Sequence, residues 1–444
     1  MFSIIRKIAF DALLDIYENK LYSNLAVNKY IKENSIKESV DRGFFTQIVY
    51  GVVEKDRYLD FVIEKFSKVK KISKKVRIIL KIGIYQVLFM DGVKDFAAVN
   101  ETVKLSKIYA KSSSGFINAI LRNTIRNKNN LEIEKDDIIK YLSVKYSYEE
   151  NLIKLFLEMF EQDFLEDMLE SFDEKPKLYG RVNLNKIKRE ELLKKLEDMS
   201  IKATKVNLIE EAILIENIKD IENNELFKSG YFTIQDISSM TVCKVPDIKD
   251  DMNILDICAA PGGKTTHIAE RLNGNGKIIS KDIFDHKLKL IKNSIDRLGL
   301  KNIELRNEDA LIFNEDEVNK YDLVLCDVPC SGFGIVRRKP EIKYKNIDEI
   351  EKLPHIQYKI LLNASKYIKD DGEIIYSTCT INKKENIEVI NRFLENNSDF
   401  RLEKITNINL DLEQQEKGYI EIYPNVHMMD GFFIAKLRKV KNEN

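Results

Sequence analysis

The sequence predicts a multidomain protein built from three architectures: an all-α domain over residues 1–130, a small α+β linker domain over 131–235, and an α/β domain with a doubly wound, mostly parallel sheet over 236–444. Three observations predict it. Apolar residues recur at helical spacing through the first part. A polar stretch from Arg126 to Asn130 breaks that pattern. From Met252 onward, short β-rich runs alternate with helical stretches, the signature of strands joined by crossover helices. A length of 444 residues suits two or three domains. It also allows a core that needs no disulfide staples.

In the first part the helical spacing is carried by Ile4, Ile5, Ile8, Ala9, Leu13 and Leu14, and again by Phe44, Phe45, Ile48, Val49 and Val52. The run from Val76 to Met90 is apolar apart from Lys81 and a few neighbours, which predicts a buried helix. The middle part reads as helix over Lys135–Phe160, a strand over Tyr179–Val182, and an amphipathic helix over Lys186–Met199. Its pattern carries no chemistry. In the third part the β-rich runs are Asn253–Ile257, Lys277–Asp282, Asn302–Arg306, Asp322–Cys326, Glu373–Ser377 and Gly431–Leu437. In such a sheet, ligands sit outside the C-terminal ends of the strands.

The candidate chemistry falls at those ends. The first run leads into Cys258-Ala259-Ala260-Pro261-Gly262-Gly263-Lys264, a loop of small residues that lets backbone approach a ligand, followed by a helix start with free N–H groups. The loop lacks the G-x-G-x-x-G fingerprint of dinucleotide sites and the glycine spacing of a P-loop. Asp282 ends the second run, where a carboxylate can accept from ribose hydroxyls. Asp309 follows the third, where an acceptor can meet an adenine amino group. Together they point to a nucleoside-containing cofactor. The fourth run ends in Asp327-Val-Pro-Cys330-Ser-Gly332 and the fifth in Ser377-Thr-Cys379-Thr380. Two thiols and a carboxylate at neighbouring strand ends are a constellation for covalent catalysis, since a thiolate is a strong nucleophile at neutral pH. The competing reading is two buried structural cysteines. Methylation of a base amino group needs no thiol and would favour an Asn-Pro-Pro-aromatic motif where Pro329-Cys330 stands.

At these motifs the chain resembles the RNA cytosine-C5 methyltransferases of the NOP2/Sun group. The resemblance runs through Gln235-Asp236, the Ala-Pro-Gly-Gly-Lys loop, the Asp-x-Pro-Cys-Ser-Gly loop, the Ser-Thr-Cys loop and Asp430-Gly-Phe-Phe433. It implies a Rossmann-like class I methyltransferase domain that binds S-adenosyl-L-methionine through Cys258–Lys264, Asp282, Asp309 and Asp327. It also implies that Cys379 is the nucleophile, that Cys330 assists proton removal and release, and that Asp327 contacts cofactor and base. Val328 stands where alanine is common, and the flanking acid, proline and cysteine are in place. The N-terminal part resembles the NusB-type helical RNA-binding domain at Asp41-Arg42, Ala98-Val-Asn-Glu101 and Gly115–Arg122. That fusion implies a cytosine of 16S rRNA, cytosine 967, met before the small subunit is complete. The alternatives are tRNA as substrate, or a non-catalytic RNA-binding assembly or antitermination factor.

Composition adds a direction. Lys plus Arg and Asp plus Glu number 72 each over the chain, yet residues 1–130 hold 24 basic against 13 acidic residues. A basic module on an acidic body suits an anionic partner, with solvated lysine-rich helix faces as the competing reading. Arg42, Arg122 and Arg126 are the first candidates for phosphate contacts, with Arg337, Arg338 and Lys339 after the Cys330 loop, and Arg181 in the middle segment. Five cysteines at irregular spacing argue for a reducing compartment and against a disulfide framework. The C-x3-C pair has no second pair and the four His are scattered, so no metal site is expected. With no run of ~20 apolar residues and no signal-peptide pattern, neither a membrane span nor secretion is expected, and the reading is cytoplasmic. Protein partners are not legible.

Overall fold

The computed structural model describes residues 2–440 except 70, 219, 273, 275, 409 and 411. The chain forms two compact units, residues 1–170 with 336–347, and residues 171–335 with 348–444.

The first unit is helical. Its helices span Phe2–Asn19, Ser23–Glu33, Ser39–Glu54, Asp56–Phe66, Lys74–Phe89, Asp95–Tyr109 and Ser114–Arg126. Most of the apolar positions read from the sequence meet in one core, with Phe10, Leu13, Phe45, Ile48 and Val52 all without exposure, whereas Ile4 is exposed. Lys81 lies inside the expected buried helix and is itself buried. Its ammonium is paired with Asp56 and, at 2.9 Å, with Asp60, which makes its burial tolerable. The stretch expected as one helix over Lys135–Phe160 is two, Ile138–Tyr146 and Glu150–Leu157. Ser147 separates them with a left-handed φ of 61°, and its Oγ accepts from the Tyr58 amide at 3.0 Å. Residues 336–347 come from far along the chain yet belong here. The Lys343 ammonium donates to the Tyr146 carbonyl at 3.0 Å, and the Tyr344 hydroxyl to the Val53 carbonyl at 2.8 Å.

The second unit holds two sheets. The smaller is antiparallel, with β1 (Leu178–Val182), β2 (Ala203–Lys205), β3 (Ala212–Ile215) and β4 (Phe232–Ile234) in the order β2-β3-β1-β4. The helix Arg189–Asp198 packs on it through Leu192 and Leu196. Only β1 and this helix were legible beforehand, because three- and four-residue strands carry too few alternations to register.

The larger sheet has eight strands, β5 (Asn253–Asp256), β6 (Lys277–Lys281), β7 (Ile303–Arg306), β8 (Tyr321–Asp327), β9 (Ile368–Thr378), β10 (Phe400–Leu402), β11 (Tyr419–Ile422) and β12 (Phe432–Lys439). Its order is β10-β12-β9-β8-β5-β6-β7, with β11 also paired to β12. Strands β5 to β9 are parallel, and β12 runs antiparallel to β9. The expected Rossmann-like sheet is therefore present. Strand order reverses between β5, with β6 and β7 on one side, and β8, with β9 on the other. Such a switch point leaves a crevice at the C-terminal strand ends.

Candidate active site

The loop after β5 runs Ile257–Gly262 before the helix Gly263–Arg271. Gly262 sits at φ 96°, a left-handed conformation, and a Cβ there would lie 2.9 Å from Ile291. The loop is fastened to β6 by two bonds. The Ala259 amide donates to the Lys281 carbonyl at 2.8 Å, and the Ala260 amide donates to Asp282 Oδ2 at 3.3 Å. Asp282 is buried at the end of β6, and its other oxygen accepts from the Phe284 amide. Asp309 is half-buried beyond β7 and accepts from the Leu311 amide at 2.9 Å. Large apolar side chains stand exposed beside both carboxylates, Ile283 and Phe284 next to Asp282, and Leu311 and Ile312 next to Asp309. Carboxylates flanked by exposed apolar surface fit a ribose and a purine.

Asp256 closes this region from below. Its Oδ2 accepts from Thr265 Oγ1 at 2.6 Å. Burial pushes its carboxyl up to about 7. Hydrogen bonding from Thr265 and from the Cys258 amide favours its charged form against burial, and a carboxylate under a loop of small residues fits a cationic cofactor such as S-adenosyl-L-methionine.

The thiols lie at the ends of β8 and β9, which pair in parallel with Asp327 opposite Ser377. The Val328 amide donates to the Ser377 carbonyl, and the Gly334 amide to the Cys379 carbonyl, so the two loops run side by side. Cys330 Sγ and Cys379 Sγ are 3.4 Å apart, within hydrogen-bond reach. Asp327 is held from both sides, by Lys264 Nζ at 2.6 Å and by Ser377 Oγ at 2.8 Å. Lys264 thus links the cofactor loop to the thiol loops. Burial works against its charge, but Asp327 beside it holds the ammonium above the ordinary lysine value. The hydrogen bond to Cys379, and after it burial, raises the Cys330 thiol well above the usual cysteine range. Burial is the first cause that raises the Cys243, Cys258 and Cys326 thiols. Behind the Cys330 loop, the Gly334 and Gly431 backbones touch. The Gly431 amide donates to the Gly334 carbonyl, and a Cβ on Gly431 would lie 2.8 Å from the Gly334 Cα, which accounts for the glycine in Asp430-Gly-Phe-Phe433.

One candidate is corrected. Arg181 was expected to contact RNA, but on β1 it has no exposure. Its guanidinium donates to Glu270 at 2.8 and 3.0 Å, to the Gly263 carbonyl at 2.9 Å, to Thr266 Oγ1 at 3.1 Å and to Gln235 Oε1. It therefore braces the start of the helix that follows the cofactor loop. Arg122 and Arg126 are exposed on the helix Ser114–Arg126. Arg42 is half-buried and spends Nε on the Ile36 carbonyl. Arg337, Arg338 and Lys339 are half-buried on the 336–347 segment, in the helical unit. Three carboxylates, Asp247, Glu373 and Glu403, have metal-like spacing. Lys436 and Arg438 already lie on the same oxygens, so cationic side chains neutralise that cluster. Among the described residues no helix is long and apolar enough to cross a membrane.

Sequence reasoning missed the residues that hold the site from behind, Glu270, Gln357 and Glu385. They stand in helices or charged runs that read as solvated, and no motif spacing marks them.

The chain resembles known families and proteins along most of its length. Residues 244–438 match the family described as 16S rRNA methyltransferase RsmB/F, residues 3–126 the NusB family, and residues 149–222 an RsmF/B-like ferredoxin-like domain. The chain is 35% identical over 446 residues to the probable ribosomal RNA small subunit methyltransferase B of Bacillus subtilis (strain 168), with 98% of each covered. It is 32% identical to the protein of the same name from Synechocystis sp., covering 98% of this chain and 99% of that one. Among solved structures, the crystal structure of PH0851 superposes with a TM-score of 0.82 at 25% identity, covering 98% of each chain.

Proposed function

This chain belongs to the RsmB/F family of 16S rRNA methyltransferases, and from that premise we propose that it methylates C5 of a cytosine in 16S rRNA, cytosine 967, through a covalent bond between Cys379 and C6. The observation that carries this reading is the pair of thiols 3.4 Å apart, beside a carboxylate that Lys264 ties to the cofactor loop.

Residues Cys258–Lys264, Asp282, Asp309 and Asp327 are the proposed holders of S-adenosyl-L-methionine. When bound, that cofactor supplies the electrophilic methyl group. The protein supplies the nucleophilic carbon. C5 of cytosine is a weak nucleophile, and addition of the Cys379 thiolate to C6 moves the 5,6 double-bond electrons toward C5 and N3. Asp327, fixed by Lys264 and Ser377, would relay a proton from solvent to N3 as charge builds there, and take it back when the S–C6 bond breaks. After methyl transfer the C5 proton passes to water, with Cys330 assisting. The S–C6 bond then breaks, and its electron pair returns to the Cys379 sulfur. The Cys330 thiol is placed to donate a hydrogen bond to that emerging charge, which favours release.

The exposed Arg122 and Arg126 and the basic N-terminal part suit phosphate contacts, so the proposed partner is the rRNA of an incomplete small subunit in the cytoplasm. Sequence choice would come from a flipped or single-stranded base in the pocket.

The test uses the full chain with 16S rRNA. Cys379→Ala is expected to abolish methyl transfer and form no adduct. Cys330→Ala is expected to accumulate a covalent RNA–protein species that denaturing gels resolve. Identical behaviour of both variants, without adduct, would overturn the assignment of roles. Bisulfite mapping of rRNA from cells with and without the gene tests the target, and an unchanged cytosine 967 would remove it.

A further inference from the structure

Each thiol sits in a loop whose neighbouring peptide groups need partners, and one buried side chain serves both loops. Glu385 has no exposure. Its Oε2 accepts from the Ser331 amide at 2.8 Å and from Gln357 Nε2 at 2.9 Å, and its Oε1 accepts from Asn382 Nδ2 at 2.8 Å. Gln357, on the helix Leu353–Tyr367, also donates to the Pro329 carbonyl at 2.9 Å. The residues on both sides of Cys330 are thus tied to the Glu385–Gln357 pair. The Cys379 side is tied as well. Ser331 Oγ and Thr380 Oγ1 are 2.6 Å apart, and Asn386, next to Glu385, donates to the Thr380 carbonyl and accepts from Thr378 Oγ1. The Tyr376 hydroxyl of β9 donates to the Glu385 carbonyl at 2.6 Å and sets its height against the sheet.

We propose that Glu385 is a positioning residue for the reaction, whose buried carboxylate locks the Cys330 loop against the Cys379 loop so that Cys330 can serve release. The inference rests on the proposed covalent mechanism. Glu385 touches neither substrate nor cofactor in this account and acts through Cys330. Its carboxylate is also among the causes that raise the Cys330 thiol, behind the hydrogen bond to Cys379, burial and the charge of Cys379. Glutamine cannot replace it. Three N–H donors converge on two carboxylate oxygens, whereas a glutamine amide offers one acceptor oxygen and turns an NH2 toward a donor. An unmet buried donor is costly, so the loops would shift to relieve it.

The test compares Glu385→Gln, Glu385→Asp and Gln357→Met with the full-length wild type on unmodified 16S rRNA. Glu385→Gln is expected to lower kcat at least tenfold, to leave the KM for S-adenosyl-L-methionine and for RNA within about twofold, and to accumulate covalent RNA–protein species as Cys330→Ala does. Glu385→Asp keeps the carboxylate and should recover part of kcat and lose most of the adduct. Gln357→Met keeps the volume and should show the adduct in weaker form, which guards against a Glu385→Gln protein that does not fold. Wild-type turnover in Glu385→Gln, or loss of turnover without adduct in both Glu385→Gln and Gln357→Met, overturns the proposal. Failure of the underlying mechanism looks different, since Cys379→Ala would then still methylate.

Discussion

Cys330 and Cys379 share one contact and differ in what surrounds them. The contact with Cys379 and, after it, burial raise the Cys330 thiol, and Cys379 lies where Lys264 adds positive charge. Spacing along the chain could place both at strand ends, but only the packed loops show that the two sulfurs come within hydrogen-bond reach. A second residue-scale consequence concerns Asp256, whose folded carboxyl titrates near 7 because it is buried. An unfolded aspartate titrates near ~3.9. Between those values the folded protein binds a proton that the unfolded chain does not, so this group stabilises the fold as pH falls from 7 toward 4 and loses that contribution as pH rises through 7. Relative to Asp256→Asn, the ligand-free wild type should gain about 2 kcal/mol of stability in all on going from pH 7 to 5. Urea unfolding of both proteins at the two pH values checks it, and a constant difference contradicts it. His267 acts in the opposite sense in both proteins, since burial holds it neutral with a value near 3, so its contribution cancels in the comparison.

At the scale of elements, β1 is the joint between the small sheet and the helix after the cofactor loop. Arg181 leaves that strand and reaches Glu270 and the Gly263 carbonyl without exposure. Truncating one member of a buried ion pair leaves the other charge uncompensated, at about 3–5 kcal/mol. Arg181→Met is therefore expected to lower stability by that amount, with most of it recovered in the double variant Arg181→Met/Glu270→Met, as denaturant midpoints would show. An RNA-contacting arginine would behave differently, weakening RNA binding without a change in stability. The arginine was legible as a charge but not as a buried one, because β1 alternation is only five residues long and its partner strands are shorter still. By contrast, the parallel strands β5 to β9 were legible from apolar runs bounded by Gly, Asp and Pro, the local signals that survive in a single sequence.

For the whole molecule, charge and connectivity govern the outcome. If the basic N-terminal part meets phosphates, Arg122→Ala and Arg126→Ala should each reduce the slope of log affinity against log salt by about 1, and weaken binding to all RNA sequences alike. An unchanged slope assigns those arginines to solvated surface. Connectivity has its own prediction. The helical unit includes residues 336–347, with Lys343 fully buried in it. A fragment of residues 1–170 should melt at a lower temperature alone than with a synthetic peptide of residues 336–347, and no shift with saturating peptide counts against that segment as part of the unit. The proposed three-domain division, with borders near 130 and 235, is tested by limited proteolysis of the full chain. Cleavage confined to other sites would remove it.

By itself, the sequence determined the helical start, the α/β body, and the order and residue types of the loops at the strand ends. These follow from periodicity and from residue types that chemistry cannot exchange, and both act over a few neighbouring positions. Tertiary structure alone decided that Arg181 is a brace and not an RNA contact, that residues 336–347 return to the helical unit, and that Glu385 stands behind both thiols. The physical reason is the same in each case. Burial and hydrogen-bond partners depend on residues far apart in the chain, and a charged side chain reads identically in sequence whether water or a buried carbonyl satisfies it.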